Sequence, residues 1–117
     1  MSICYHEGSR EFHLSNRDIS YIITVLKNGQ LGQLYFGKKL HDRESFAHLL
    51  ELRYRPMAVC TYEGDSTFSM EHIKQEYPSY GAGDMRYPAV EILQENGSRI
   101  TDFVYQTHRI YDGKPAL

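Results

Sequence analysis

The residues with the most chemical potential in this sequence are its histidines, one close pair of carboxylates and one aromatic loop. His6, His13, His41, His48, His72 and His108 could ligate a cation or relay protons, since a neutral imidazole nitrogen does both. They show no paired spacing on one strand face or helix turn backed by carboxylates, so surface or hydrogen-bonded imidazoles are expected and no metal. Glu63 and Asp65 are carboxylates of the kind a glycosidase uses. Sequence proximity alone sets neither the separation nor the unlike environments that divide acid from nucleophile, so a solvated Glu63-Gly64-Asp65 turn is the better reading. The densest signal is Gln75-Glu76-Tyr77-Pro78-Ser79-Tyr80-Gly81, followed by Asp84 and Arg86. Tyrosine faces stack on pyranose rings, and carboxylates and guanidinium groups hydrogen-bond vicinal hydroxyls. A rigid corner is favoured over a sugar contact: Pro78 extends Tyr77, Gly81 permits a reversal, and an Asp84–Arg86 pair would pin the loop. No Gly-x-Ser-x-Gly, phosphate-binding glycine loop or Cys–His nucleophile pattern is present, so neither standalone catalysis nor a cofactor is expected.

The elements that must hold these residues belong to one small domain. The chain has 117 residues, 41% hydrophobic and 24% charged, enough for a modest single core. A net charge of −2 lacks the broad basic field of a general nucleic-acid binder. Ten tyrosines and five phenylalanines without tryptophan favour strands, where planar rings pack on a pleated surface. Cys4 and Cys60 have no neighbours at ligand spacing and read as ordinary thiols. No apolar run is long enough for a signal h-region or a membrane span, so no membrane partner and a cytoplasmic location are expected.

Two hairpins organise the fold. Ile19–Leu26 and Leu31–Phe36 flank Lys27-Asn28-Gly29-Gln30, and Asn-Gly predicts a type I′ turn. The first run is apolar on both alternating faces and is expected to be covered on both sides. Pro88–Gln94 and Arg99–Tyr111 form a second hairpin through Asn96-Gly97. Between them, Ser45 is expected to cap a short helix over Phe46–Leu52. Arg53–Arg86, with Pro56, Gly64, Pro78, Gly81 and Gly83, reads as loops broken by short strands near Thr67–Met70. Met1 is expected to be a true N-terminus. Asp112-Gly113-Lys114-Pro115 reads as a turn with too little after it for another strand, as if the chain were cut there.

Several of these blocks together resemble the N-terminal domain of glycoside hydrolase family 36 α-galactosidases. They are Phe12-His13-Leu14, Tyr21–Gly37, Gln75–Gly81, Glu95-Asn96-Gly97-Ser98, Asp102–Tyr105 and His108–Pro115, and they cover nearly the whole chain. The resemblance implies a mainly β fold, an antiparallel β-supersandwich with a short helix. It also implies that residues 1–117 precede a (β/α)₈ catalytic barrel in a longer enzyme. Two barrel aspartates would carry out retaining hydrolysis of terminal α-galactosides such as melibiose and raffinose; neither lies in this segment, which is expected to be inactive alone. The implied partners are the chain's own C-terminal barrel, the galactoside and other copies in a homotetramer. There an N-terminal domain offers an acidic residue to the galactose of a neighbouring subunit. The position matching that acid is Glu51, with Arg53 and Arg55 beside it. A freestanding carbohydrate-binding module and a purely structural β-domain are the competing readings.

Overall fold

The computed structural model describes residues 2–54, 61–81 and 86–113. Its centre is an antiparallel sheet in chain order: β1 (Ser2–His6), β2 (Glu11–Ser15), β3 (Ile19–Val25) and β4 (Leu31–Lys38). β-Branched Ile19, Ile22, Ile23, Thr24 and Val25 make β3 a good strand former, and it pairs with β2 on one side and β4 on the other. As expected it is covered on both faces, with Ser20, Ile22 and Thr24 buried and Tyr21 and Ile23 half-buried.

The two faces differ in chemistry because strand side chains alternate. Ile3, Tyr5, Phe12, Leu14 and Ile23 share one face through the register Tyr5–Phe12–Ile23, and residues 105–110 return across it. His108 packs edge-on to Phe12, ring centroids 4.8 Å apart, and 4.3 Å from Tyr5, while the Tyr105 hydroxyl and His108 Nδ1 are hydrogen-bonded at 2.7 Å. The other face carries His6, Glu11, His13, Ser20 and Thr24, and residues 39–46 lie over it.

A smaller hairpin, β5 (Thr61–Tyr62) and β6 (Asp65–Ser69), turns at Glu63-Gly64. It contains the short strand expected near Thr67. Phe68 joins Leu26, Met70 and Ile73 in a buried cluster, with Leu50 packed against it.

Three local expectations are corrected. The β3–β4 link is a type I turn over Lys27-Asn28 closed by left-handed Gly29, not type I′: Gly29 has φ 85°, and Arg10 is the sole non-glycine with positive φ among the described residues. Gly29 N–H donates to Leu26 O at 2.9 Å and Leu26 N–H to Gln30 O at 2.8 Å. Asn28 Oδ1 accepts from Gln30 N–H at 3.2 Å, so one left-handed residue suffices. The device recurs at Gln94–Ser98, where Gly97 has φ 80° and Asn96 Oδ1 accepts from Ser98 N–H at 2.9 Å.

The chain reverses at Asn96-Gly97, but residues 88–94 and 99–111 form no strand ladder. Ile92, Leu93, Ile100 and Val104 stay exposed, and an isolated two-stranded ribbon without a covering layer is marginal in water. Individual bonds hold the segment instead, Thr101 N–H to Tyr80 O and Tyr105 N–H to Gly29 O, both 2.7 Å. The third concerns the short helix over Phe46–Leu52, which is a single 3₁₀ turn, Ala47–Leu49. Leu50 leaves in an extended conformation, drawn by the Phe68 cluster and by the bond from Arg53 N–H to Thr67 O at 3.1 Å.

Candidate functional site

The polar face of the sheet is the most developed constellation of chemical groups. Glu11 is 1% exposed, and its carboxylate accepts from the Phe46 N–H at 2.6 Å and the Ser45 hydroxyl at 3.0 Å. The Ser45 oxygen in turn accepts from Ala47 N–H at 3.1 Å, but the residue that caps the brief turn is Phe46 and not Ser45 as expected, because the turn starts one residue later, at Ala47. Leu40 N–H donates to Ser20 Oγ at 2.8 Å, leaving the Ser20 hydroxyl proton for His13 Nε2 at 2.8 Å. His13 Nδ1–H then donates to Asp42 Oδ1 at 2.7 Å, and His6 Nε2 meets the same oxygen at 3.0 Å. Partial burial opposes ionisation of Asp42, but the hydrogen bonds and charges of His13 and His6 outweigh it and hold its carboxyl below the usual range.

Ser20, His13 and Asp42 are connected like a hydrolytic triad. Ser20 is 0% exposed and its oxygen is engaged by Leu40, so no substrate carbonyl can reach it. The chain of bonds is structural. Beside it opens a cleft of about 750 Å³ lined by Tyr5, His6, Glu7, Glu11, Glu44 and Leu50 among others.

Glu51, matched to a sugar-contacting acid, follows Leu50 at the end of the 3₁₀ turn. It is exposed, and its Oε1 accepts from Arg53 Nε at 2.6 Å. Leu50 in the core and Arg53 N–H on β6 fix the backbone on both sides of it. Arg55, Cys60 and Asp84 lie outside the described residues. Cys4 is an exposed free thiol.

The Gln75–Gly81 loop is built as a corner. Gln75 bridges Gly32, Gln33 N–H donates to Lys74 O and Glu76 N–H to Leu31 O, both 2.9 Å, which covers the outer edge at the start of β4. The Tyr21 hydroxyl donates to Glu76; burial and that carboxylate push the phenol up to about 12. Ser79 is buried with its hydroxyl on Thr101 O at 2.8 Å. Asp65 is used structurally too. Hydrogen bonds from Lys27 and Thr67 hold its carboxyl well below the usual range, and Glu63 is exposed in the turn. Among the described residues no three His, Cys, Asp or Glu side chains converge as a metal site.

Residues 29–117 match the glycosyl hydrolase family 36 N-terminal domain. The chain belongs to this family. It is 39% identical over its whole length to the α-galactosidase AgaA of Geobacillus stearothermophilus, and 31% identical over 98% of its length to the α-galactosidase Mel36A of Lactobacillus acidophilus. It spans 16% of each. In three dimensions it resembles the galactosidase domain of the α-galactosidase-sucrose kinase AgaSK, with a TM-score of 0.87 and 31% identity over 99% of this chain and 16% of that one. It also resembles AgaB of Geobacillus stearothermophilus, with a TM-score of 0.82 and 39% identity over 100% and 16%. A variant of AgaA, 40% identical over 92% of this chain and 15% of that one with a TM-score of 0.78, has been solved in complex with raffinose. The mainly antiparallel, nearly helix-free architecture is that of these family 36 N-terminal domains.

Proposed function

We propose that this chain is the non-catalytic N-terminal domain of an α-galactosidase that hydrolyses terminal α-galactosides of the melibiose and raffinose type. Residues 1–117 form its β-supersandwich segment, which supports a following catalytic barrel and a homotetramer. The observation that carries this reading is the end-to-end match, at about one-sixth of their length, to the α-galactosidases AgaA and AgaB, with a raffinose-bound variant of AgaA matching 92% of the chain. In this reading Tyr87, at 90% exposed, and Leu93, Ile100 and Val104, also exposed, are apolar side chains available to pack against the rest of the enzyme.

In this reading Glu51 hydrogen-bonds galactose in a neighbouring subunit, and the Arg53 pair and fixed backbone limit the freedom it loses on binding. A contact remote from the bond being cleaved strengthens ground state and transition state alike. Glu51→Ala in the full-length enzyme is therefore expected to raise KM for melibiose roughly tenfold, about the worth of one charged hydrogen bond, with kcat and the tetramer unchanged. Steady-state kinetics with sedimentation velocity checks this, and unaltered kinetics would remove Glu51 from the site. The same reading expects no saturable binding when the isolated chain is titrated with melibiose.

A further inference from the structure

Residues 39–46 are seated on the sheet in an unusual way. Ordinarily a segment covering a sheet buries a stripe of apolar side chains. Here Phe46, against the His13 ring at 5.3 Å, is the one fully buried apolar side chain of the segment, and the rest of the attachment is polar. Lys39 N–H donates to Asp18 O and Leu40 N–H to Ser20 Oγ, each at 2.8 Å. Asp42 takes His13 and His6, Ser9 Oγ donates to Glu44 O at 2.9 Å, and Ser45 and Phe46 donate to Glu11.

We propose that residues 39–46 are a strap that opens from the sheet as a unit, with Asp42 as its clasp, when that carboxylate is neutralised or removed. The titratable groups around the clasp are His6 on β1 and His13 on β2; Glu11 on β2 faces the strap's far end, and Glu7 lies in the preceding turn. Cys4 on β1 shares that face beside His13, the strap itself adds Lys39, His41, Arg43 and Glu44, and β3 contributes the hydroxyls of Ser20 and Thr24. In the closed state one carboxylate serves two imidazoles. Neutralising that carboxylate weakens both bonds at once, because hydrogen bonds to a charged acceptor are roughly twice as strong as those to a neutral one. Removing the carboxylate abolishes both. Because the Asp42 carboxyl is held below its ordinary value, its contribution is fully present above about pH 4 and is lost as pH falls through the lowered folded-state value.

Amide hydrogen exchange on this chain tests the proposal. The Leu40, Phe46 and Ala47 amides are strap-dependent, and the ladder amides of β2 and β3 report global opening. In Asp42→Ala at neutral pH, protection of the three strap amides is expected to fall together by roughly tenfold or more, with ladder protection kept. In the native sequence a selective loss of strap protection in the same direction is expected as pH falls below about 4 and through the lowered folded-state value of Asp42. His6→Ala, a half-exposed position that leaves the Asp42–His13 bond in place, should give a smaller loss and guards against misfolding of the first variant. Strap and ladder amides losing protection in parallel, or strap protection indifferent to both variants, would overturn the proposal.

Discussion

Glu11→Ala is expected to destabilise the folded chain by about 3 kcal/mol. The carboxylate is almost wholly buried and serves both the Phe46 amide and the Ser45 hydroxyl. Removing it strands a buried N–H and opens a cavity beneath the 3₁₀ turn. Glu11→Gln should lose only about half as much, since an amide oxygen can accept from Phe46 while its NH₂ group cannot take the Ser45 proton. Urea unfolding of the three proteins followed by circular dichroism measures both values. A loss below about 1 kcal/mol for alanine, the range of ordinary surface substitutions and weak bonds, would show that the turn is held by Phe46 packing alone.

Gly81→Ala is expected to cost about 2 kcal/mol or more. Gly81 has φ 120°, a region a side chain rarely adopts, and a Cβ there would lie 2.6 Å from Ile100 Cγ2. The two causes are separable. Ile100 is exposed, so pairing Gly81→Ala with Ile100→Ala relieves the collision and leaves the backbone strain. A double-mutant cycle should recover part of the loss and not all of it. Full recovery would mean that the corner tolerates a side chain at that φ.

How far the sequence could be read depends on whether a signal was local. The β3–β4 hairpin was legible because an Asn-Gly pair sits between two strand-forming runs, and Gly29 closes the turn. The same pair at Asn96-Gly97 encoded the reversal equally well, yet no ladder formed around it. A turn is set by a few residues, whereas a ladder needs a covering layer that Leu93 and Ile100 lack among the described residues. The polar face was missed for a related reason. Glu11, His13 and Ser20 alternate along β2 and β3 as solvent-facing residues would, and nothing local distinguishes water from a distant strap that satisfies them. Asp42, the group that joins the histidines, comes from a loop whose path the sequence does not give. A signal did exist in the β2–β3 register, which puts His13 and Ser20 on one face once the hairpin is drawn.

The site behaved differently again. Glu51 has no local signature and was reached only through resemblance to family 36 domains; the geometry adds the Arg53 pair and a backbone fixed on both sides. Ordered aromatic blocks such as Gln75–Gly81 made the family recognisable, and they turn out to cover a strand edge and form a corner. What marks the family in this segment is architecture, and the sugar-stacking reading of those tyrosines is not needed to explain the loop.

We propose above that this family 36 N-terminal domain is part of a larger α-galactosidase and supplies no catalytic group of its own. The most direct test is hydrolysis of p-nitrophenyl α-galactoside by the native protein bearing this sequence, captured with an antibody to residues 2–54, beside the isolated 117-residue chain. The account predicts activity that co-purifies with a polypeptide roughly six times this length, as the 16% coverage of its relatives implies, and none from the isolated chain. Hydrolysis by the isolated chain, or a native polypeptide of this length without activity, would contradict it.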